Sequence, residues 1–200
     1  MVAALAVLAG LTACSSGPED LSAGGVPTRW YGTVDEDLAG RPEIGSVGML
    51  ESGGSCPVGG QVVLDGKKVS KVSKVSDHGV VRLGGDIPAV LCFWYEDIPV
   101  EVTVAHAPDA ARYAELVAGS RAVDQPGNDQ TERDVTVDGR TVHVVRIVYP
   151  TNPSAGFTLD AAVLDERSRG RVSLKVDVAD RIPGYDEDAV AADLVAFLTG

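Results

Sequence analysis
Asp134-Val135-Thr136-Val137-Asp138-Gly139-Arg140-Thr141-Val142-His143-Val144-Val145-Arg146-Ile147-Val148-Tyr149 is the stretch on which the fold reading turns. Two β-branched runs flank an Asp-Gly pair. A type I′ turn needs positive φ at both central residues, so Asp-Gly between such runs marks a two-stranded hairpin. The same signal occurs earlier, where Gln61-Val62-Val63-Leu64 is followed by Asp65-Gly66 and Lys67-Lys68-Val69.

Working outward, strands are expected at 43–50, 80–83, 89–95, 157–164 and 171–178. Val100-Glu101-Val102-Thr103-Val104 alternates with period two, as a half-buried strand does. A first helix is read from Pro108 at the first helical position and Asp109 beside it. Its stripe is Ala110, Tyr113, Ala114 and Val117, and Gly119 caps its end. Residues 122–132 read as a linker or exposed loop. A last helix starts at Asp186 or a neighbour, with Val190, Leu194, Phe197 and Leu198 on one face. Each half thus has an Asp-Gly hairpin, further strands and one helix. Glu115-Leu116-Val117-Ala118-Gly119 even echoes Asp193-Leu194-Val195-Ala196. The expectation is an α+β, antiparallel β-sheet-rich domain with two helices packed on one side, built as a duplication of a β-hairpin/strands/helix unit or matching one by coincidence.

The start of the chain reads differently. Residues 2–13 are almost all small or apolar, and the run is about a dozen long. A membrane-spanning helix needs roughly 20 residues, whereas the apolar core of an export signal needs about 7–15. Leu11-Thr12-Ala13-Cys14, followed by Ser15-Ser16-Gly17, resembles the lipobox of bacterial lipoproteins. The resemblance covers this segment alone. It implies a diacylglycerol on the Cys14 sulfur, cleavage just before Cys14, and attachment to the extracytoplasmic face of the cell membrane. No Lys or Arg precedes the apolar run, which departs from the pattern and points to a start upstream of Met1. On this reading 1–13 is a removed leader and 14–28 is a flexible tether. Residues 29–200 then form one extracytoplasmic domain, divisible at 29–120 and 131–200, with order beginning near Trp30.

With Cys14 lipidated, Cys56 and Cys92 remain. An even pair in an exported protein is expected to form a disulfide. The closed loop of about 37 residues would contribute roughly 3–4 kcal/mol in the chain-entropy model. Neither cysteine lies in a Cys-x-x-Cys pair, which argues against redox catalysis.

The chain has 29 acidic against 17 basic residues, a formal charge of −12. Such an excess argues against non-specific binding to nucleic acid or anionic surfaces and serves solubility. The one basic cluster, Lys67-Lys68-Val69-Ser70-Lys71-Val72-Ser73-Lys74-Val75-Ser76, reads either as a docking strip for acidic groups or as an edge strand whose lysines block further pairing. His78, His106 and His143 have no metal-ligand spacing. Trp94-Tyr95-Glu96-Asp97 fits a carbohydrate or cation pocket, or simply a strand end. Asp160, Asp165 and Glu166 are candidate paired carboxylates in a chain where acids are plentiful. No phosphate-binding loop and no nucleophile elbow is present. The reading is therefore a non-catalytic binding or interaction module of the cell envelope, with no catalytic residue, metal or cofactor assigned. Its ligand is an unidentified protein or small molecule. Two alternatives stay open: an envelope hydrolase or metal-dependent enzyme whose site assembles only in the fold, and an accessory subunit of a membrane complex.

Overall fold
The computed structural model describes Trp30 and residues 62–69, 78–83, 87–94, 98–122 and 126–200, with 78–83 as backbone alone. The leader and tether expected at 1–13 and 14–28, and the strand expected at 43–50, lie outside the described residues. The described strands are β1 (Val63–Leu64), β2 (Lys67–Lys68), β3 (His78–Leu83), β4 (Ile87–Trp94), β5 (Val100–His106), β6 (Asp129–Val137), β7 (Arg140–Val148), β8 (Phe157–Asp165) and β9 (Gly170–Val176). Helix α1 (Ala110–Ala118) follows β5, and α2 (Glu187–Thr199) ends the chain.

Both Asp-Gly turns form as their chemistry requires. Asp65 and Gly66 have φ of 49° and 74°, and Asp138 and Gly139 have 49° and 77°. The first turn closes only the small β1–β2 ladder. The second joins β6 to β7 inside the main sheet.

That sheet has seven antiparallel strands in the order β3-β4-β5-β9-β8-β7-β6. Two meanders, β3 to β5 and β6 to β9, meet where β5 pairs with β9 from Val100↔Val176 to His106↔Gly170. Strand alternation then sorts the side chains. Val100, Val102 and Val104 align with Val176, Leu174 and Val172 on one face. This face forms the main core with Val90, Val142, Val144, Leu159, Ala161 and Val163.

Helix α2 covers this face, packing on β6 to β9 and on β1. Val190, Ala191, Leu194, Val195, Phe197 and Leu198 are all buried, because the sheet lies on one side of the helix and β1 and Trp30 meet it elsewhere. Trp30 meets Phe197 with ring centroids 5.2 Å apart. Asp186 caps the helix, its carboxylate accepting from the N–H groups of Asp188 and Ala189. Arg133 pairs with Asp188 at 3.0 Å and so ties the first turn to the sheet.

Several local readings need correction. The two helices do not share a side. Leu116 and Tyr113 of α1 join Ile87, Ala89, Leu91 and Ala105, which are the odd-numbered residues on the opposite face from Val90 and Cys92. The strand order is nearly symmetric about the β5–β9 junction, but a two-fold relating antiparallel neighbours would keep both helices on one face. Leu116 and Leu194, aligned by the sequence echo, are therefore buried in different cores. Within α1 the cap is Asp109, whose carboxylate accepts from Arg112 N–H at 2.9 Å, and Pro108 precedes it. Ala110 and Ala114 are exposed, because the helix rests on only a small patch and turns Leu116 into it. Residues 129–132 belong to β6, because β7 supplies their ladder partners whatever the side-chain polarity. Strand β9 stops at Val176. Val178 then adopts a left-handed φ of 47° and leads into a 3-10 turn at Ala179–Arg181.

Leu194→Ala is expected to cost about 2–5 kcal/mol, the range for emptying a well-packed site. Leu116→Ala, in the small cluster, is expected to cost less. The urea midpoints of the two variants check this, and an equal loss would contradict the assignment of the main core to the α2 side.

Candidate functional site
The face of the sheet opposite α2 carries an apolar cluster beneath α1. Across β5, β9, β8 and β7 it is mixed, with polar residues beside buried Val145 and half-buried Leu164. Register places Glu101 opposite Lys175, and Lys175 opposite Asp160, so the three form one row across three neighbouring strands. The next row runs Thr103, Ser173, Ala162, His143 and Asp134. The row beyond brings Ala105 to Arg171. Thr103, Ser173 and Ala162 are small, so they form a low floor between the longer charged side chains. Thr103 and Ser173 are buried.

The charges on this face are interlocked. Lys175 Nζ is 3.5 Å from Asp177 Oδ1, and Arg171 Nη2 is 3.5 Å from Asp160 Oδ2. Thr103 donates to Glu101 Oε1 at 3.0 Å, and Thr158 donates to Asp177 Oδ1 at 2.9 Å. The Tyr149 hydroxyl lies 3.4 Å from Thr158 Oγ1 and extends the chain of contacts. Burial raises the pKa of Glu101, with Lys175 and the Thr103 bond opposing it. Burial likewise raises that of Asp160 against the pull of Arg171 and Lys175. Burial works against the charge of Lys175, yet Asp177, Glu101 and Asp160 together raise its pKa.

Three buried polar atoms here have no hydrogen-bond partner: Asp160 Oδ1, Arg171 Nε and His143 Nε2. Asp160 keeps 29% of its side chain exposed, but that one oxygen is inaccessible. Arg171 is 9% exposed and His143 is 5% exposed. Buried polar groups are normally paired, because an unpaired one costs about 1–3 kcal/mol. An orphan acceptor and an orphan donor on one strip of sheet mark a place where the fold bears an unusual polar cost.

His143 is clamped from the edge strand. Its Nδ1 lies 2.7 Å from Asp134 Oδ1 and 3.3 Å from Arg121 Nη1. One ring nitrogen serves one of these in its plane, and the shorter contact to a carboxylate makes it the N–H donor. Nε2 approaches Glu132 Oε2 at 3.3 Å but out of hydrogen-bond alignment. Asp134, His143 and Ser173 share a row, yet Ala162 stands between the histidine and the serine. Two strand spacings of about 4.8 Å separate them, beyond the reach a base needs to activate a nucleophile.

Other residues singled out by sequence fall elsewhere. By strand alternation His106 sits on the α2 face, opposite His143, and the His78 side chain is outside the described residues. Among the described residues no group of three His, Cys, Asp or Glu is placed to hold a metal. Asp165 and Glu166 lie at the far end of β8 and in the turn after it, where Asp165 accepts from Arg167 N–H. They are not paired with Asp160. Trp94 ends β4 and packs against the main core, while Tyr95, Glu96 and Asp97 lie outside the described residues. Cys92 is fully buried on β4 and is not a free thiol. Cys14 and Cys56 lie outside the described residues. The sequence reading missed Glu101, Arg171, Ser173 and Lys175. The only signal for them was polar residues at alternate positions of two strongly apolar strands.

The sign of the carboxyl shifts sets a pH dependence. Raised folded-state values mean that protonated Glu101 and Asp160 favour folding. That contribution is complete below their ordinary values of 4.5 and 3.8 and is lost as pH rises through the folded values. Glu101→Gln/Asp160→Asn is expected to remove this acid-side gain. Urea midpoints measured from pH 3.5 to 8 should show the wild type gaining on the variant as pH falls, and parallel curves would refute it. The chain matches no family model, and no curated protein or solved structure is similar to it.

Proposed function
We propose that the chain is a lipoprotein held through Cys14 on the extracytoplasmic face of the cell membrane, and that its domain is a non-catalytic binding module. What supports the anchor is Leu11-Thr12-Ala13-Cys14 at the end of a short apolar run. No described helix is long and apolar enough to cross a membrane. What carries the binding reading is the polar strip opposite α2, where Asp160, Lys175 and Asp177 stay partly exposed beside one another. The strip offers donors and acceptors side by side. Its three carboxyls and two cations largely offset one another, so it suits an uncharged polar ligand better than a strongly ionic one. The module also carries a Cys56–Cys92 disulfide, which fastens the loop around Cys56 to the buried β4 strand.

Cys14→Ala is expected to move the protein from the membrane to the soluble fraction and to abolish incorporation of labelled palmitate. An unlipidated variant that stayed quantitatively in the membrane would refute the anchor. For the module, native mass spectrometry of protein purified from membranes is expected to show a bound mass on the wild type. Asp160→Asn/Arg171→Met, which removes both charges together, is expected to lack it. A bound mass on both, or on neither, would count against the polar strip. For the disulfide, denatured wild type without reductant is expected to resist maleimide at both cysteines, and Cys56→Ala to expose Cys92.

A further inference from the structure
At the edge of the sheet, a buried histidine sits between two carboxylates. Register sets Asp134 of β6 opposite His143 of β7, and Glu132 lies two residues along β6 on the same face. Asp134 Oδ1 is 2.7 Å from Nδ1, and Glu132 Oε2 is 3.3 Å from Nε2. Two further charges face the ring. Arg121 Nη1 stands 3.3 Å from Nδ1, and Asp160, opposite Val145 on β8, acts on the ring through space while paired with Arg171.

Glu132 also holds the chain that leaves α1. Its Oε2 accepts the Ala122 N–H at 2.8 Å, and its Oε1 is 3.8 Å from Arg121 Nη1. Just before, the Ser120 hydroxyl donates to Leu116 O at 2.9 Å and fixes the end of the helix. One carboxylate therefore links the His143 ring to the start of the α1–β6 connection. The Ala122 bond, with smaller help from His143 and Arg121, lowers the pKa of Glu132. Glu132 stays ionised across the pH range in which imidazoles titrate.

A neutral imidazole has one N–H, and here it goes to Asp134. Nε2 is then a buried lone pair beside a carboxylate oxygen, and it has no hydrogen-bond partner. An imidazolium carries an N–H on both nitrogens, so each can donate to a carboxylate. We propose that His143 is a proton-operated latch on the α1–β6 connection. Protonation gives Nε2 a proton. Glu132, whose side chain is 38% exposed and free to turn, swings into line with it and draws Ala122 against the sheet edge. Loss of the proton sets the Nε2 lone pair against that carboxylate and loosens the hold on Ala122. Burial of the ring and the Arg121 guanidinium oppose the proton, while Glu132, Asp134 and Asp160 favour it.

The test uses the full chain carrying Cys14→Ala, followed by NMR as pH is raised through the range of imidazole titration. The His143 ring protons report the protonation state, and the Glu132 carboxyl carbon and the Ala122 amide report the latch. All three are expected to move with one midpoint. Exchange of the Ala122 amide, corrected for its intrinsic pH dependence, is expected to quicken about tenfold on the deprotonated side, as loss of a charge-assisted bond implies. In Glu132→Gln the ring is expected to titrate while Ala122 exchange no longer follows it. In Asp134→Asn the coupling to Ala122 is expected to persist, because it runs through Glu132; its loss would mean a general loosening of β6 and would overturn the latch. A ring that keeps one protonation state across the range, Ala122 exchange that ignores the titration, or coupling that survives Glu132→Gln would overturn it as well.

Discussion
The pairing of β5 with β9 is the constraint on which the rest of the molecule depends. It joins strands far apart in the chain and turns two meanders into one sheet. Because side chains alternate, its register decides both faces at once. Val100, Val102 and Val104 go under α2 with Val172, Leu174 and Val176, and Glu101 and Thr103 go to the other side with Ser173 and Lys175. A one-residue slip would put lysine and glutamate into the core and the valines onto the polar strip. The main core therefore selects the register, and the polar strip follows from it.

That strip is costly. Carboxyls, cations and hydroxyls are partly withdrawn from water, and the ion pairs at 3.5 Å are too long to offset their desolvation well. Packed apolar residues would stabilise the same positions more cheaply, as they do under α1 a few residues away. A fold that keeps Asp160 Oδ1 and Arg171 Nε unpartnered in its interior departs from the consistency seen in its main core, and such departures gather at functional sites.

Much of the fold was legible because its signals are short-range. Both Asp-Gly turns, the Asp186 cap and the buried face of α2 depend on residues within four positions of one another. The misreadings came where a distant element overrode local pattern. Residues 129–132 look like a loop until β7 lies beside them. Ala110 and Ala114 look like a helix stripe until the sheet margin leaves them nothing to cover. The single-sided packing of the helices failed for the same reason. Amphipathicity says that a helix has a face, and only the path of the chain after β5 says which side of the sheet receives it.

By itself, the sequence determined the α+β class, the turn positions, the period-two strands and the capped final helix. Each follows from backbone sterics and from contacts between near neighbours. Only the tertiary structure decided that β9 lies beside β5, that the two helices take opposite faces, and that Glu101, Lys175 and Asp160 stand in one row. Alternation specifies which residues of a strand share a face, but not which strand is its neighbour. Adjacency across a sheet is settled when the whole core closes, and so the residues of the candidate site could not be gathered from their order in the chain.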